Sequence, residues 1–227
     1  MDTRPRGLER RDVQLNRQLP LLFVVTDDEV ISRPEFLETA AAVLSSGDGR
    51  CALQLRAHGI VGARFVALAR QLLGLARAAG STLWINDRID VALTLRADGV
   101  QLGSLSPSPL QARRLLGSAC WIGRSVHSAG EAAHALGNGA DVAVLGTVFA
   151  TASHPGRAPL GLEEVRRAAG GGRPIVAIGG ITEDNLTDVI GAGACGVAVL
   201  SGIWDAEDAA QATKRYLAAL ARTSSVK

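Results

Sequence analysis

The chain has 227 residues, of which 47% are hydrophobic, and a formal net charge of +2. This length and composition indicate one globular domain of the size of a β/α barrel, and a near-neutral charge with 4% aromatic residues offers no basic stripe for a nucleic acid. The first apolar run, at residues 21–25, is too short for a secretion signal or a membrane span, so we expect a cytoplasmic protein with no membrane partner.

In chain order, short apolar runs alternate with amphipathic segments eight times. Residues 1–19 are polar, Arg-rich and aperiodic, which predicts a short flexible N-terminal arm before a single domain at 20–227. Apolar patterns predict strands at 21–26, 51–56, 82–85, 99–102, 121–126, 141–145 and within 174–181 and 193–203. Helical periodicity, caps and glycine stops predict helices at 32–46, 62–79, 89–95, 107–116, 131–136, 162–169, 182–190 and 207–222.

Strict alternation of strands and helices argues for a parallel sheet, and eight units is the number that closes a barrel. An open doubly wound sheet is the alternative, but the sequence lacks an early GxGxxG turn. We therefore predict an α/β fold, a single (β/α)8 TIM barrel. Its three cysteines, Cys51, Cys120 and Cys195, have no metal-ligand spacing, so buried thiols in a reducing compartment are expected.

The last two predicted strands end in small residues. Gly179, Gly180, Ser201 and Gly202 would bring bare backbone N–H groups and a helix N-terminus to neighbouring strand ends, an arrangement that suits an anion. In β/α barrels a phosphate commonly binds at the loops after strands seven and eight. We therefore predict a phosphate site here, with Thr182 or Asp184 capping the helix between the two strands.

Polar side chains also end or follow the other strands: Gln54, Arg56, Asn86, Asp87, Gln101, Arg124, Ser125, His127, Thr151 and Ser153. In a barrel they would converge on one pocket for a small molecule. Arg56 would bind a ligand anion or form a structural ion pair, and Asp87 would hold a metal, pair with Arg56 or cap the next helix. His127 is the best-placed general acid or base, with a loop histidine as the alternative. His134, within a helix, is expected to be a surface or packing residue.

From residue 23 to about residue 220 the chain resembles the superfamily of thiamine phosphate synthases and thiazole tautomerases (TenI-like proteins). The matching segments are LQLR at 53–56, INDRIDVA at 85–92, ADGVQLG at 97–103, VAIGGI at 176–181 and GVAVLSGI at 196–203. The resemblance implies the barrel fold and a ligand of thiamin biosynthesis. It leaves two reactions to choose between.

The synthase branch joins hydroxymethylpyrimidine diphosphate to thiazole phosphate with loss of pyrophosphate, and it implies Mg²⁺ held by Asp87 and by a second aspartate after strand four. Ser106 stands at about that second position, and His58 and His154 stand where the synthase pattern has two lysines. A hydroxyl is a poor ligand for a hard cation, and imidazoles are at best partly charged at neutral pH. A synthase with Mg²⁺ at Asp87 is therefore the alternative.

The segment IGRSVHS at 122–128 resembles the tautomerase branch, in which the histidine is the acid/base. We therefore predict a thiazole tautomerase that aromatises a thiazole carboxylate phosphate without a cofactor. The resemblance implies that His127 moves the proton, Arg56 faces the ring carboxylate, and the substrate is also contacted by Gln54, Asn86, Gln101, Ser125, Thr151 and Ser153.

The sequence raises two other classes of function. A non-catalytic binder of thiazole or thiamin phosphate is a second alternative, since an anion site would survive in an inactive enzyme. A Schiff-base aldolase is excluded, because the only lysines, Lys214 and Lys227, do not lie at strand ends. A homo-oligomer is left open.

Overall fold

The protein is described by a computed structural model over residues 18–151, 156 and 158–224. The strands are β1 (Leu22–Val25), β2 (Cys51–Leu55), β3 (Thr82–Asn86), β4 (Gly99–Leu102), β5 (Trp121–Val126), β6 (Val142–Gly146), β7 (Ile175–Ile178) and β8 (Gly196–Val199). The helices are α1 (Asp28–Ser32), α2 (Phe36–Ser46), α3 (Gly62–Ala78), α4 (Ile89–Leu95), α5 (Pro109–Leu116), α6 (Ala129–Gly137), α7 (Gly161–Ala169), α8 (Leu186–Gly191), α9 (Ser201–Trp204) and α10 (Ala209–Ser224).

The strands form a closed parallel barrel in the order β1 to β8. Leu22 of β1 lies opposite Cys51 of β2 on one side and opposite Val197 of β8 on the other, so the sheet has no free edge. Each parallel pair needs a crossover, and one or more helices make it on the outside of the sheet. The predicted (β/α)8 barrel is confirmed.

Alternate residues of each strand pack into two separate cores. The barrel interior is filled by Phe23, Val25, Ala52, Trp84, Val142, Val144, Val176 and Ala198. The intervening residues, such as Leu53 and Leu83, face outward into a second, larger core between sheet and helices. This division follows from the period of two along a strand, and it places the last inward-facing residue of each strand at the mouth of the barrel.

Several helix boundaries differ from the prediction, and two of them have clear local causes. The helix expected from residue 32 is split, because Arg33 precedes Pro34 and takes an extended conformation, as residues before proline do. The helix expected to be capped by Thr182 or Asp184 begins only at Leu186. Asn185 there uses its side-chain oxygen to accept from the Thr182 N–H at 2.9 Å, which holds residues 182–185 in a turn.

The predicted N-terminal arm lies outside the described residues up to position 17. Its last residue, Leu19, is half-buried against the core of the barrel interior, and the division into an arm at 1–19 and a domain at 20–227 stays a prediction. None of the described helices is long and apolar enough to cross a membrane.

Candidate active site

The barrel brings most of the predicted site residues to one end. Because all strands run in the same direction, the side chains at their carboxyl ends meet at one mouth. Gln54, Asn86, Gln101 and Ser125 lie in or at the ends of β2 to β5, with Arg56, Asp87 and His127 one residue beyond a strand. Thr151 is half-buried in the loop after β6. Ser153 and His154 lie outside the described residues.

A chain of amides leads from the barrel wall to an exposed carboxylate. Gln54 is 5% exposed, and its Nε2 donates to Asn86 Oδ1 at 2.8 Å. The Asn86 Nδ2 donates in turn to Asp87 Oδ2 at 2.6 Å. Because each amide both accepts and donates, this chain fixes the orientation of the Asp87 carboxylate from below.

Asp87 is held in a backbone conformation that few non-glycine residues adopt, with φ of 61°. Its N–H donates to Gln101 O at 2.8 Å, and its Oδ1 accepts from the Gly103 N–H at 2.8 Å and from the Ser106 hydroxyl. It does not cap α4, whose N-cap is Arg88, and it forms no ion pair with Arg56. Two of the three roles considered for Asp87 are therefore wrong.

The remaining role of Asp87 is that of a metal ligand. The described residues contain no cluster of three or more His, Cys, Asp or Glu side chains that could hold a metal. Mg²⁺, however, is often bound through one or two carboxylates, with waters and substrate phosphates completing its shell. The three donors to Asp87 use three of about four lone-pair directions of a carboxylate. Asp87 therefore fits Mg²⁺ as a single protein ligand.

Gln101 and Ser125 form the neighbouring wall, where Gln101 of β4 pairs in register with Asn86 of β3. Gln101 is 1% exposed, and its Nε2 donates to Ser125 Oγ at 2.9 Å. The Gln101 Oε1 is buried and has no hydrogen-bond partner within the described part of the chain. It lies over Gly123, where a Cβ would come within 2.1 Å of it. The pair closes the site from the barrel interior.

Arg56 follows β2 and is half-buried. Its backbone N–H is held by the Thr26 hydroxyl at 3.0 Å. Among the residues that the structure describes, its guanidinium makes no hydrogen bond or ion pair, so the structural ion pair considered for Arg56 is not formed. A half-buried cation at a strand end that lacks a protein partner suits an anionic ligand.

His127 lies one residue after β5 and is exposed. Its Nδ1 is 2.7 Å from Gly146 O. A carbonyl oxygen only accepts, so Nδ1 is the donor in this contact, and Nε2 is the ring nitrogen left to a ligand. The ring lines a cavity of about 620 Å³ together with Arg124, Glu131 and His134. His134 thus lies on a surface groove, as its position within a helix predicted.

The glycines after β7 are required by packing. Gly179 and Gly180 have φ of 100° and 64°, and a Cβ would come within 2.5 Å of Thr147 at Gly179 and of Ala150 at Gly180. In α9, Gly202 likewise makes room for Tyr216, whose hydroxyl would lie 2.3 Å from a Cβ. Packing thus accounts for these glycines, and the phosphate site at Gly179, Gly180, Ser201 and Gly202 stays a prediction.

The sequence reading missed the side chains that support the site. Asp28 accepts the N–H groups of His58 and Gly59, and Thr26 holds Arg56. The signal available was the run Thr26–Asp27–Asp28 directly after β1, where three polar groups at a strand end exceed what one helix cap requires.

Comparison with known proteins adds a family. The sequence profile of the family described as thiamine monophosphate synthase (TMP-TENI) matches residues 22–203. The chain is similar to the thiamine-phosphate synthases of Moorella thermoacetica, with 40% identity over 87% of this chain and 94% of that protein, and of Chlorobium luteolum, with 38% identity over 90% and 94%. The solved thiamine phosphate pyrophosphorylase from Pyrococcus furiosus superposes with a TM-score of 0.77 and 32% identity over 89% of this chain and 96% of that chain.

These relatives overturn the prediction of a thiazole tautomerase, because they are named as synthases. The prediction gave three substituted positions, at His58, Ser106 and His154, more weight than the rest of the chain. Physically, a metal ion that a diphosphate substrate largely coordinates can be held by one protein carboxylate. A serine at position 106 in place of a second aspartate is therefore compatible with a synthase.

Proposed function

Because the chain belongs to the thiamine monophosphate synthase family, we propose that it is a thiamine-phosphate synthase that joins hydroxymethylpyrimidine diphosphate to thiazole phosphate and releases pyrophosphate. The new bond joins the thiazole nitrogen to the methylene carbon of the pyrimidine. The bond from that carbon to the diphosphate breaks, and its electron pair leaves with pyrophosphate. The substrates are therefore two anions that must meet in one pocket.

Arg56 is proposed to contact the diphosphate. Its half-buried guanidinium has no protein partner among the described residues, and an arginine is well suited to phosphate oxygens because it offers several donors in a fixed plane. A cation at this position lowers the energy of the departing pyrophosphate, on which negative charge accumulates. The backbone N–H groups at Gly179, Gly180, Ser201 and Gly202 are proposed to bind the thiazole phosphate.

Asp87 is proposed to hold Mg²⁺, which when bound would neutralise charge on the diphosphate. The hydrogen bonds from Asn86, Gly103 and Ser106 keep the carboxylate in one orientation, so little ordering is needed when the substrate arrives. Asn86 is itself oriented by Gln54. These contacts are the support for a metal role of Asp87.

The ring-binding residues are proposed to be Gln101, Ser125, Thr151 and Ser153 in addition to Gln54 and Asn86. The thiazole nitrogen carries no hydrogen, so its attack on the methylene carbon needs no general base. The proton-transfer role predicted for His127 has no place in this reaction. Its exposed Nε2 is left to accept a hydrogen bond from a substrate.

The observation that carries the proposal is the oriented, exposed Asp87 carboxylate at the mouth of a barrel whose relatives are synthases. The purified protein, given both substrates and Mg²⁺, should produce thiamin phosphate and pyrophosphate in equal amounts. Asp87→Asn keeps the shape and one acceptor but loses the charge, and should raise the Mg²⁺ concentration for half-maximal rate by at least about 10-fold.

The matched control is Asp90→Asn, three residues further on, where the carboxylate pairs with Arg88 on the surface. It should leave the Mg²⁺ requirement unchanged. Binding of both substrates without turnover would instead identify a non-catalytic binder, and turnover that is indifferent to Mg²⁺ and to Asp87→Asn would contradict the proposed site.

A further inference from the structure

The chain leaves the barrel wall at the end of β2 in an unusual way. The β1–β2 ladder ends with Val25 opposite Gln54, and the last backbone bond of this pair is from the Thr26 N–H to Gln54 O, at 3.0 Å. Arg56 lies beyond that point, and α3 begins only at Gly62. The segment 56–61 therefore needs another source of support if Arg56 is to keep a fixed position.

Thr26 supplies the first support. It is completely buried, and its hydroxyl donates to Arg56 O at 3.0 Å and accepts from the Arg56 N–H at 3.0 Å. The backbone N–H and C=O of Arg56 are thus both satisfied by the Thr26 side chain, which directly follows β1. This contact continues the β1–β2 pairing by one residue, with a hydroxyl in place of a backbone partner.

Asp28 supplies the second support two residues further on. Its carboxylate accepts from the His58 N–H at 3.1 Å and from the Gly59 N–H at 2.8 Å. The pKa of Asp28 is held below its usual value, chiefly because the Gly59 N–H donates to the charged form, with the His58 N–H as a further donor; burial opposes the shift. The carboxylate is therefore ionised and engaged by the loop backbone.

Asp28 lies near Arg56 but does not pair with it. The Arg56 charge is near enough to act on Asp28, although it is the weakest influence on the carboxyl group. The two are not in ion-pair contact, and the Asp28 carboxylate accepts from the amides of His58 and Gly59 instead. A carboxylate that pairs with the backbone holds the loop without neutralising the guanidinium.

We propose that Thr26 and Asp28 are positioning residues that fix the segment from Arg56 to Gly59, so that the Arg56 guanidinium is presented at the barrel mouth to the diphosphate group of the substrate. This inference rests on the proposed function, in which Arg56 binds that group. Two side chains hold the backbone of this segment, so little conformational entropy of the backbone is lost when the anion binds Arg56.

The test uses inorganic pyrophosphate with Mg²⁺ as the probe and calorimetry as the measurement. Asp28→Ala should weaken pyrophosphate binding about 10-fold, close to the effect of Arg56→Ala, since both remove the same charge-assisted contact. The double variant should be no weaker than Arg56→Ala alone, because a displaced Arg56 has nothing left to lose. Asp28→Asn, which keeps one acceptor oxygen, should recover part of the affinity.

Amide hydrogen exchange measures directly how firmly the segment from Arg56 to Gly59 is held. The Gly59 N–H should exchange faster in Asp28→Ala than in the unaltered protein, while the melting temperature changes little. Glu29→Gln is the matched control, because Glu29 lies next to Asp28 on α1 and its exposed carboxylate lies 4.0 Å from Arg33. This variant should change neither the pyrophosphate affinity nor the exchange rate of the Gly59 N–H.

The outcomes separate the two proposals. If the unaltered protein fails to bind pyrophosphate, the proposed function fails and this inference fails with it. If the unaltered protein binds pyrophosphate and Arg56→Ala weakens it while Asp28→Ala does not, the function stands and the positioning role is wrong. Additive losses in the double variant would also overturn it, because Asp28 would then act independently of Arg56.

Discussion

At the scale of single residues, two strand glycines make room for the large side chains of the barrel interior. A Cβ at Gly99 would come within 2.3 Å of the Trp84 ring, and one at Gly123 within 2.1 Å of Gln101 Oε1. Trp84 is fully buried and packs edge-on against Phe23, with ring centroids 4.9 Å apart. The glycines therefore set how far Gln101, which closes the site from below, can reach across the barrel.

Gly123→Ala should destabilise the protein by about 1–3 kcal/mol, the usual cost of overpacking a well-filled core. Because the new methyl group would displace Gln101 from Ser125, substrate affinity should fall as well. Urea denaturation measures the first effect and calorimetry the second.

Gly74→Ala is the control, since Gly74 is exposed within α3 and a Cβ there meets nothing within 4 Å. It should stabilise the protein by about 0.5–1 kcal/mol, because alanine is the better helix residue. Equal stabilities for the two variants would mean that the interior yields easily at Gly123.

The position of the site residues could be predicted from the sequence, but their partners could not. Strand ends follow from the apolar pattern, which was enough to bring Gln54, Asn86 and Gln101 to one mouth. The role of Asp87 depends on Gly103 and Ser106, which lie 16 and 19 residues away. A local reading favours a helix cap at such a position, and only the fold shows that the carboxylate spans two loops instead.

At the scale of elements, α6 is held at its N-terminus by the next helix. Ser128 caps α6 through the Glu131 N–H at 3.1 Å, and Glu164 of α7 accepts from the Ala129 N–H at 2.6 Å. The Glu164 side chain is 13% exposed and also pairs with Arg167. This carboxylate satisfies an N–H that a helix start leaves free, and it fixes the turn that carries His127.

Glu164→Ala should therefore lower the free energy of unfolding by about 1–3 kcal/mol, since a half-buried donor loses a charged partner. Glu163→Ala, one residue earlier, is the matched control. Glu163 is 70% exposed and pairs with Arg166 on the surface, so its loss should cost about 0.5 kcal/mol or less. Chemical denaturation of both variants provides the comparison, and equal losses would refute a role for Glu164 in holding α6.

Helix positions were predictable, whereas several helix starts were not. The helix expected at 107–116 begins at Pro109, because Ser108 and Gln111 form a reciprocal capping box. The split between α1 and α2 at Pro34 follows from a local rule that the apolar periodicity obscured. The apolar pattern gives the buried face of a helix, but its ends depend on individual hydrogen bonds.

At the scale of the whole molecule, the closed barrel follows from counting eight strand–helix units. Each unit can be recognised from its own apolar pattern, and closing the ring of eight is the remaining step. The reaction did not follow in the same way. Three substitutions near the site indicated the wrong branch of the superfamily, while about 40% identity over most of the chain indicated the other. Single charges change how tightly a metal is held, and they are weak evidence about which bond is made.

Closure of the barrel also predicts how its thiols react. Cys51 lies in β2, is completely buried, and is packed so tightly that a Cβ at Gly47 would come within 2.3 Å of it. Burial raises the pKa of Cys51 to about 12, so at pH 8 the thiol is neutral as well as inaccessible, and only the thiolate is reactive. β2 is paired with β1 from Cys51 and with β3 from Ala52, so we expect labelling of Cys51 to require opening of the whole barrel. In the native protein at pH 8, a thiol reagent followed by peptide mass spectrometry should therefore label Cys51 at least about 1,000-fold more slowly than in urea.

Cys195, which is half-buried, serves as the internal control and should react sooner in the same sample. Labelling of Cys51 as fast as Cys195 would mean that the barrel opens between its strands well below the free energy of global unfolding.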